Sequence, residues 1–221
     1  MSDASQLPGM ARFGIRTDRA LGGVGMPRIR ALGRKLRPDH DLALALWRTR
    51  IHEARLLAVF VDDPVAVTVP QMDAWAADVD SWDLCDNCCM HLFDRTPFAV
   101  DRIHAWSSAE PEFVKRCAFA TMAGLAVHEK AASDAFFVEL LPLCEREAWD
   151  DRNYVRKAVN WALRQIGKRN HALNAEAVAC AERVLAQGTR SARWIANDAL
   201  RELRSDDTKA ILDRAAARGR R

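Results

Sequence analysis

The sequence predicts an all-α protein built from stacked helical repeats, and two observations support this fold class. Apolar residues recur with a helical period in nearly every segment after Met26, and the strand-like alternation VAVTV is confined to residues 65–69. In addition, EPEFVKRCAFA, DDRNYVRKAVNWAL and GTRSARWIANDAL share a polar start, basic residues and an alanine-rich apolar helix. Aligned on Val114, Val155 and Ala192, these segments lie 41 and 37 residues apart.

That spacing is typical of HEAT repeats, helix pairs of about 40 residues that stack into a solenoid. We therefore predict a HEAT-like α-α superhelix with a concave basic face. The alternative is a non-repetitive helical bundle whose helices merely resemble one another. The predicted organisation is a loosely ordered N-terminal arm over residues 1–25, a repeat domain over residues 26–205, and a C-terminal helix with a basic tail over residues 206–221.

Composition limits the classes of function. The net charge is only +3, so only the distribution of charge can indicate a nucleic-acid partner. No apolar run approaches the about 18 residues of a membrane span, and no signal-peptide pattern opens the chain. Six cysteines lie in helical patterns, which favours reduced thiols in a cytosolic compartment. We expect a cytoplasmic monomer without a membrane partner.

The closely spaced Cys85, Cys88 and Cys89 raise the question of a zinc or redox site. They have no second ligand pair at a suitable spacing, and Cys88 belongs to the apolar stripe of its helix. Small core residues are the better interpretation. We expect neither a metal nor another cofactor.

The segment RNYVRKAVNWALRQIGKRN, residues 152–170, predicts a helix with an unusual polar side. Its core-facing stripe is Val155, Ala158, Val159, Ala162, Leu163 and Ile166. Lys157, Arg164 and Lys168 gather on the opposite side, with Tyr154 and Trp161 beside them. A basic stripe interleaved with aromatic residues suits a polyanion with flat surfaces, such as a nucleic acid. Alternatively, Trp161 packs against the next helix and the charges only face solvent.

A second helix, SWDLCDNCCMHLF over residues 81–93, contains an acidic residue among largely apolar neighbours. Ser81 is the predicted N-cap, and Trp82 and Asp86 share one face because they are four residues apart. The core-facing stripe is Leu84, Cys88 and Leu92. Asp86 is therefore either a functional carboxylate beside an indole or a structural carboxylate that caps a neighbouring helix.

A third helix, EFVKRCAFATMAGLAV over residues 112–127, is apolar nearly all round and is predicted to be buried. Arg116 projects among small apolar side chains. A guanidinium group there needs an internal carboxylate or an external anion such as a phosphate, because unpaired burial is costly. Both interpretations stay open.

The chain resembles the bacterial DNA alkylation repair proteins of the AlkD type, which are HEAT-like DNA glycosylases. The resemblance rests on WDLCD (residues 82–86), FVKRCAFA (residues 113–120) and YVRKAVNWALRQIGKRN (residues 154–170), and it spans roughly residues 26–204. It implies hydrolysis of the N-glycosidic bond of cationic N3- or N7-alkylated purines in duplex DNA. It also implies that the base is not flipped into a tight pocket.

The resemblance also assigns roles to individual residues. It implies that Asp86 is the catalytic carboxylate, that Trp82 and Trp161 contact the deoxyribose of the damaged nucleotide, and that Arg116 holds a backbone phosphate. From the same motifs we predict further DNA contacts at Tyr154, Arg156, Lys157, Arg164, Lys168 and Lys115.

The expected partner is double-stranded DNA that contains alkylated bases. Two functions of other classes stay open. One is a non-catalytic HEAT-repeat protein that binds damaged or branched DNA, and the other is a HEAT-type scaffold for protein partners.

Overall fold

A computed structural model describes residues 3–15 and 17–219 of the chain. All regular elements within these residues are helices, and none is a strand, which confirms the predicted all-α class. The strand-like run at residues 65–69 forms a turn that leads into a helix. The chain divides into two compact units that join in sequence at Asp101 and Arg102, inside the range that the sequence predicts as one repeat domain.

The first unit is built from short helices. Its complete helices are α1 (Leu7–Arg12), α2 (Met26–Leu36), α3 (His40–Arg48), α4 (His52–Val61), α5 (Val69–Asp78) and α6 (Trp82–His91). Helix α4 packs against α2, α3 and α6. The rings of Trp47 and Trp75 stack with centroids 3.9 Å apart, and Arg55 lies buried with its guanidinium 2.9 Å from the carboxylate of Asp78. Helix α7 (Ala99–Trp106) crosses the junction between the units.

The described part of the N-terminal arm is tied to the first unit, where the sequence predicts a loosely ordered segment. The carboxylate of Glu53 on α4 accepts hydrogen bonds from the backbone N–H groups of Leu21 and Gly22, at 3.0 and 2.8 Å. The indole N–H of Trp82 on α6 donates to the carbonyl of Phe13 at 3.0 Å. These bonds fasten the arm to α4 and α6, because backbone groups need partners wherever side chains exclude water.

The second unit has two layers of helices. Its complete helices are α8 (Glu112–His128), α9 (Asp134–Glu147), α10 (Asn153–Gly167), α11 (His171–Ala186), α12 (Arg190–Leu203) and α13 (Asp206–Gly219). Helix α10 packs between α8 and α12 in one layer, while α9 and α11 pack against each other in the second layer. Helix α13 occupies the predicted C-terminal helix, and residues 220–221 of the predicted basic tail lie outside the described residues.

Contacts between successive helices of the first layer recur at similar sequence intervals. Arg116 on α8 donates to the backbone carbonyl of Tyr154 on α10 at 2.7 Å, and Asn160 on α10 donates to the carboxylate of Asp198 on α12 at 2.6 Å. Both pairs are 38 residues apart. Further contacts follow in the same order, with Arg169 donating to the carbonyl of Ala126 on α8 and Arg164 pairing with Glu202 on α12, so these helices run parallel, as stacked helix-pair repeats do.

The predicted core stripes are buried. All six apolar residues of the stripe on α10, and Leu84, Cys88 and Leu92 in the α6 region, have no exposed surface. Helix α8 is buried continuously from Lys115 to Ala126, as its uniformly apolar sequence predicts. Gly167 closes α10, and a Cβ atom there would lie 2.5 Å from Leu203 Cδ2 and 2.8 Å from Ala177 Cβ. Glycine at this position therefore permits the close packing of α10 on α11 and α12.

None of the helices in the described part of the chain combines the length and the apolar character that a membrane crossing would require.

Candidate nucleic-acid interface

Helix α6 carries the two predicted site residues of the first unit. Trp82 and Asp86 are partly buried and lie one helical turn apart, on a side of the helix away from its core stripe. Ser81 occupies the predicted N-cap position, but its buried hydroxyl makes no hydrogen bond to the helix or to any other described group. The helix begins where the sequence predicts, without the predicted cap.

The indole of Trp82 is held in a fixed orientation. Its N–H group donates to the carbonyl of Phe13 at 3.0 Å, which ties one edge of the ring to the N-terminal arm. A ring fixed by its edge leaves its flat faces as the surface through which it can stack on or pack against a partner.

A buried ion pair that sequence reasoning missed supports the start of α6. His52 on α4 is only 2% exposed, and its Nε2 lies 2.9 Å from a carboxylate oxygen of Asp83. Burial by itself lowers the pKa of His52, but the hydrogen bond and charge of Asp83, with the charges of Glu53 and Asp80, outweigh burial and raise that pKa above its ordinary value. The two partners are 31 residues apart in sequence, so helical periodicity gives no sign of the pair.

We expect the His52–Asp83 pair to make stability depend on pH. Because the folded state raises the pKa of His52, the stabilisation is complete below the unfolded value of about 6.5 and is lost as pH rises through the folded pKa. The free energy of unfolding, measured with urea, should therefore fall as the pH rises above about 6.5. In His52→Gln this fall should be smaller, whereas the exposed-site control His104→Gln should keep it. An unchanged pH dependence in His52→Gln would exclude this role.

The polar side of α10 carries most of the predicted DNA contacts. Lys157 is exposed and forms no ion pair with any described residue, and Trp161 is partly buried beside it on the helix. The guanidinium of Arg156 lies over the ring of Trp194 on α12, 4.9 Å from its centroid. Trp194 is 36% exposed and was not among the predicted contacts, so the aromatic and basic surface extends from α10 onto α12.

Two of the predicted basic contacts on α10 are neutralised by α12. Glu202 forms ion pairs with Arg164 and with Lys168, the latter at 2.7 Å, and a second carboxylate, Asp198, lies 3.9 Å from Arg164. Burial raises the pKa of Glu202, but the hydrogen bonds and charges of Lys168 and Arg164 outweigh it and hold that pKa below its ordinary value. The stripe that reads as uniformly basic in sequence is therefore basic at Lys157 and Arg156 and balanced towards the C-terminal end of the helix.

Arg116 and Tyr154 come together between α8 and α10. Arg116 is 6% exposed; it donates to the carbonyl of Tyr154 at 2.7 Å and lies 5.9 Å from the centroid of the Tyr154 ring. The same ring stacks on Phe113, with centroids 5.3 Å apart. Arg116 thus has an internal acceptor, but this acceptor is a backbone carbonyl and not a carboxylate, so the internal carboxylate and the phosphate contact both stay predictions.

Lys115 has an internal role instead of a place at the interface. It is 3% exposed, and its ammonium lies 2.8 Å from Glu147 and 3.1 Å from Asp150. The ring of Trp149 covers it, with the centroid 5.2 Å from Nζ. Two carboxylates already satisfy this buried ammonium, so we remove Lys115 from the set of DNA contacts predicted from sequence.

Comparison with known proteins places these motifs in a family. The sequence model of a family described as DNA alkylation repair enzyme matches residues 1–203. The chain belongs to the DNA alkylation repair enzyme family. The match includes α6, α8 and α10, the helices that carry the three motifs of the resemblance. No curated protein sequence matches the chain.

The fold of this DNA alkylation repair family member is similar to that of a solved structure. That structure is described as "a new family of proteins related to the HEAT-like repeat DNA glycosylases with affinity for branched DNA structures". The two share 17% sequence identity with a TM-score of 0.70, over 81% of this chain and 77% of the other. The similarity confirms the predicted HEAT-like repeat fold, and family membership identifies the protein as one of DNA repair.

Proposed function

We propose that this protein is a DNA glycosylase that hydrolyses the N-glycosidic bond of cationic N3- or N7-alkylated purines in duplex DNA. The observation that carries the proposal is the position of Asp86, a partly buried carboxylate one helical turn from the oriented indole of Trp82, in a member of a DNA repair family. A protein that only binds phosphates has no use for a carboxylate at its interface, because the two negative groups repel each other.

The chemistry of the substrate suits a single carboxylate. A purine alkylated at N3 or N7 is cationic, so it departs as a neutral base and needs no general acid. Positive charge develops on the deoxyribose, as in glycoside hydrolysis generally. A preorganised anion at Asp86 would stabilise that charge and orient the attacking water. The faces of Trp82 and Trp161 would each contribute about 0.5–2 kcal/mol through cation–π interaction.

We propose that the duplex is held mainly through its phosphates. Lys157 supplies an exposed, unpaired ammonium within the described chain, and Arg156 with Trp194 supplies a guanidinium on an aromatic face. Further contacts would come from predicted residues that already have partners within the protein, either by exchange of the partner for DNA or by an added bond to DNA: Arg116, Tyr154, Arg164 and Lys168. Phosphate contacts locate a duplex without reading its bases, so we expect little sequence specificity. We propose a cytosolic location, where thiols stay reduced, because all six cysteines are buried within helices.

The test is release of free base. The purified protein is incubated with duplex DNA treated with a methylating agent, and the supernatant is analysed by chromatography for 3-methyladenine and 7-methylguanine. We expect release above the spontaneous rate from methylated duplex and none from untreated duplex. Binding without release would reject the glycosylase and leave the second candidate.

That second candidate is non-catalytic binding of damaged or branched DNA. It is favoured by one observation, the similarity in fold to a structure whose description includes affinity for branched DNA. A four-way junction and a linear duplex of equal length distinguish the two functions. A binder of branched DNA prefers the junction and releases no base, whereas the proposed glycosylase prefers the methylated duplex to the same duplex untreated.

A further inference from the structure

A cavity of about 420 Å³ in the first unit is lined by arginines that the proposed glycosylase does not use. The lining that matters here is Arg30, Arg34, Arg37, Arg95, Phe60 and His91. Its volume falls within the range of small-molecule sites, about 300–1,000 Å³.

The geometry of α2 brings three of these arginines to one wall. Arg30 and Arg34 are four residues apart and share a face of α2, and Arg37 caps the C-terminal end of the same helix. Gly33 lies on the same face, and a Cβ atom there would be 2.4 Å from Phe60 Cβ on α4. The glycine thus lets α2 approach α4 closely and sets the arginines against the Phe60 side of the cavity.

In the described part of the chain, the four guanidinium groups of the cavity form no ion pair with a carboxylate. Within residues 3–15 and 17–219, no ion pair engages Arg30, Arg34, Arg37 or Arg95. In contrast, the buried Arg55 of the same unit pairs with Asp78 at 2.9 Å. Like charges that line one cavity focus a positive potential and attract an anion.

One carboxylate, Asp62, lies among the lining residues, and it is turned to other partners. Its two oxygens lie 2.7 Å from His40 Nδ1 and 2.7 Å from Gln71 Nε2. Burial raises the pKa of Asp62, although the hydrogen bonds from His40 and Gln71 act in the opposite direction. Among the described residues, the carboxylate of Asp62 therefore bonds to His40 and Gln71 and forms no ion pair with the arginines of the cavity.

The cavity also offers aromatic surface. The Phe60 ring lies 4.9 Å from the ring of His91, centroid to centroid, and the guanidinium of Arg30 lies 5.8 Å from the Phe60 centroid. Guanidinium groups bind phosphate through paired hydrogen bonds, and aromatic rings stack on nucleobases. The combination matches a nucleotide, which presents both a phosphate and a flat base.

The cavity is separate from the side of α6 that carries Trp82 and Asp86. His91 follows Trp82 by nine residues, which corresponds to a half-turn difference in direction and about 13 Å along the axis. A ligand against His91 therefore lies at the other end of α6 and on its opposite side.

We infer that this cavity binds a nucleotide, with the phosphate on Arg34 and Arg37 and the base against Phe60. Two sources share this chemistry: a free mononucleotide and one nucleotide of a DNA strand. The site goes beyond the proposed glycosylase, because its lining includes neither Trp82 nor Asp86 of α6 and no residue of α10.

The test uses the full-length protein and two double variants with equal loss of charge. Arg34→Ala/Arg37→Ala removes cavity arginines, and Arg28→Ala/Lys35→Ala removes exposed basic residues of the same helix that do not line the cavity. Binding of 2′-deoxyadenosine 5′-monophosphate is measured by calorimetry. A four-way DNA junction and a linear duplex are measured by fluorescence anisotropy, each with and without the mononucleotide. Thermal melting verifies that all three proteins are folded.

We expect the wild type and the Arg28/Lys35 variant to bind the mononucleotide alike, and the Arg34/Arg37 variant to bind it about tenfold or more weakly. Competition between mononucleotide and junction identifies a DNA strand as the source, and binding without competition identifies a free nucleotide. The inference is overturned if the wild type does not bind the mononucleotide, or if both double variants lose equal affinity. Release of methylated base by the Arg34/Arg37 variant is also measured in single turnover, with protein in excess. Release at the wild-type rate shows that nucleotide binding in the cavity and the proposed glycosylase activity are independent of each other.

Discussion

Replacing Asp86 with asparagine is expected to lower the rate of methylated-purine release by about 100-fold to 1,000-fold, the cost typical of removing one electrostatic stabiliser of a transition state. The two side chains have nearly the same shape, so the substitution removes charge and little else. A neutral amide cannot stabilise the positive charge that develops on deoxyribose when the base departs. The measurement is single-turnover release of 7-methylguanine from methylated duplex, with protein in excess.

Binding separates this effect from a structural one. Asp86→Asn should bind methylated duplex at least as tightly as the wild type, because losing an anion near phosphates cannot weaken electrostatic attraction. Asp41→Asn is the matched control, since it makes the same chemical change at an exposed position of α3 and should keep the wild-type rate. If Asp86→Asn is folded by thermal melting and still releases base at the wild-type rate, Asp86 is not the catalytic carboxylate.

The elements that the sequence predicts well are those set by local periodicity. The stripe on α10, from Val155 to Ile166, is buried because apolar residues spaced at 3.6 must face a neighbour in a helical protein. The sequence repeat has a related cause. Each helix of the first layer of the second unit stacks on the next one, so each needs a polar start followed by small apolar residues. The aligned spacings of 41 and 37 are close to the intervals of 38 and 42 residues between contacting partners.

What periodicity could not predict is which charges meet across helices. Glu202 pairs with Arg164 and Lys168 from the next repeat, 38 and 34 residues away, and His52 pairs with Asp83 across 31 residues. A helical wheel places a residue on a face but does not tell what the neighbouring helix puts opposite it. A basic stripe therefore overstates the free positive charge of α10, and the aromatic partner on α12, Trp194, stays hidden until the register is known.

Lys115 is the residue for which the unpredicted pairing of charges across helices has the largest consequence. Replacing Lys115 with methionine is expected to reduce the free energy of unfolding by about 3 kcal/mol, because breaking a buried ion pair leaves its partners uncompensated. Glu147 and Asp150 are 4% and 2% exposed, so water cannot replace the ammonium. Arg146 and Arg152 still contact these carboxylates, at 2.6 and 2.5 Å, which keeps the loss at the lower end for buried pairs. Urea denaturation of the purified variant measures it.

Lys157→Met is the matched control, since it makes the same substitution at an exposed lysine of α10. Its stability should stay within about 0.5 kcal/mol of the wild type, as for most surface changes. Its affinity for duplex DNA should fall, and the slope of log affinity against log salt should become shallower by about 1, because one phosphate contact is lost.

The two lysine variants therefore separate fold from interface. Lys115→Met, assayed at a temperature where it is fully folded, should keep the wild-type salt slope, because its ammonium contacts carboxylates and not phosphate. Suppose instead that Lys115→Met leaves stability unchanged and makes the salt dependence of DNA binding shallower. That result would show that Lys115 contacts DNA, as the sequence predicts. Loss of the Lys115 charge leaves two buried carboxylates without a partner and so lowers the free energy of unfolding. Loss of the exposed Lys157 charge leaves the fold unchanged and lowers the affinity for DNA.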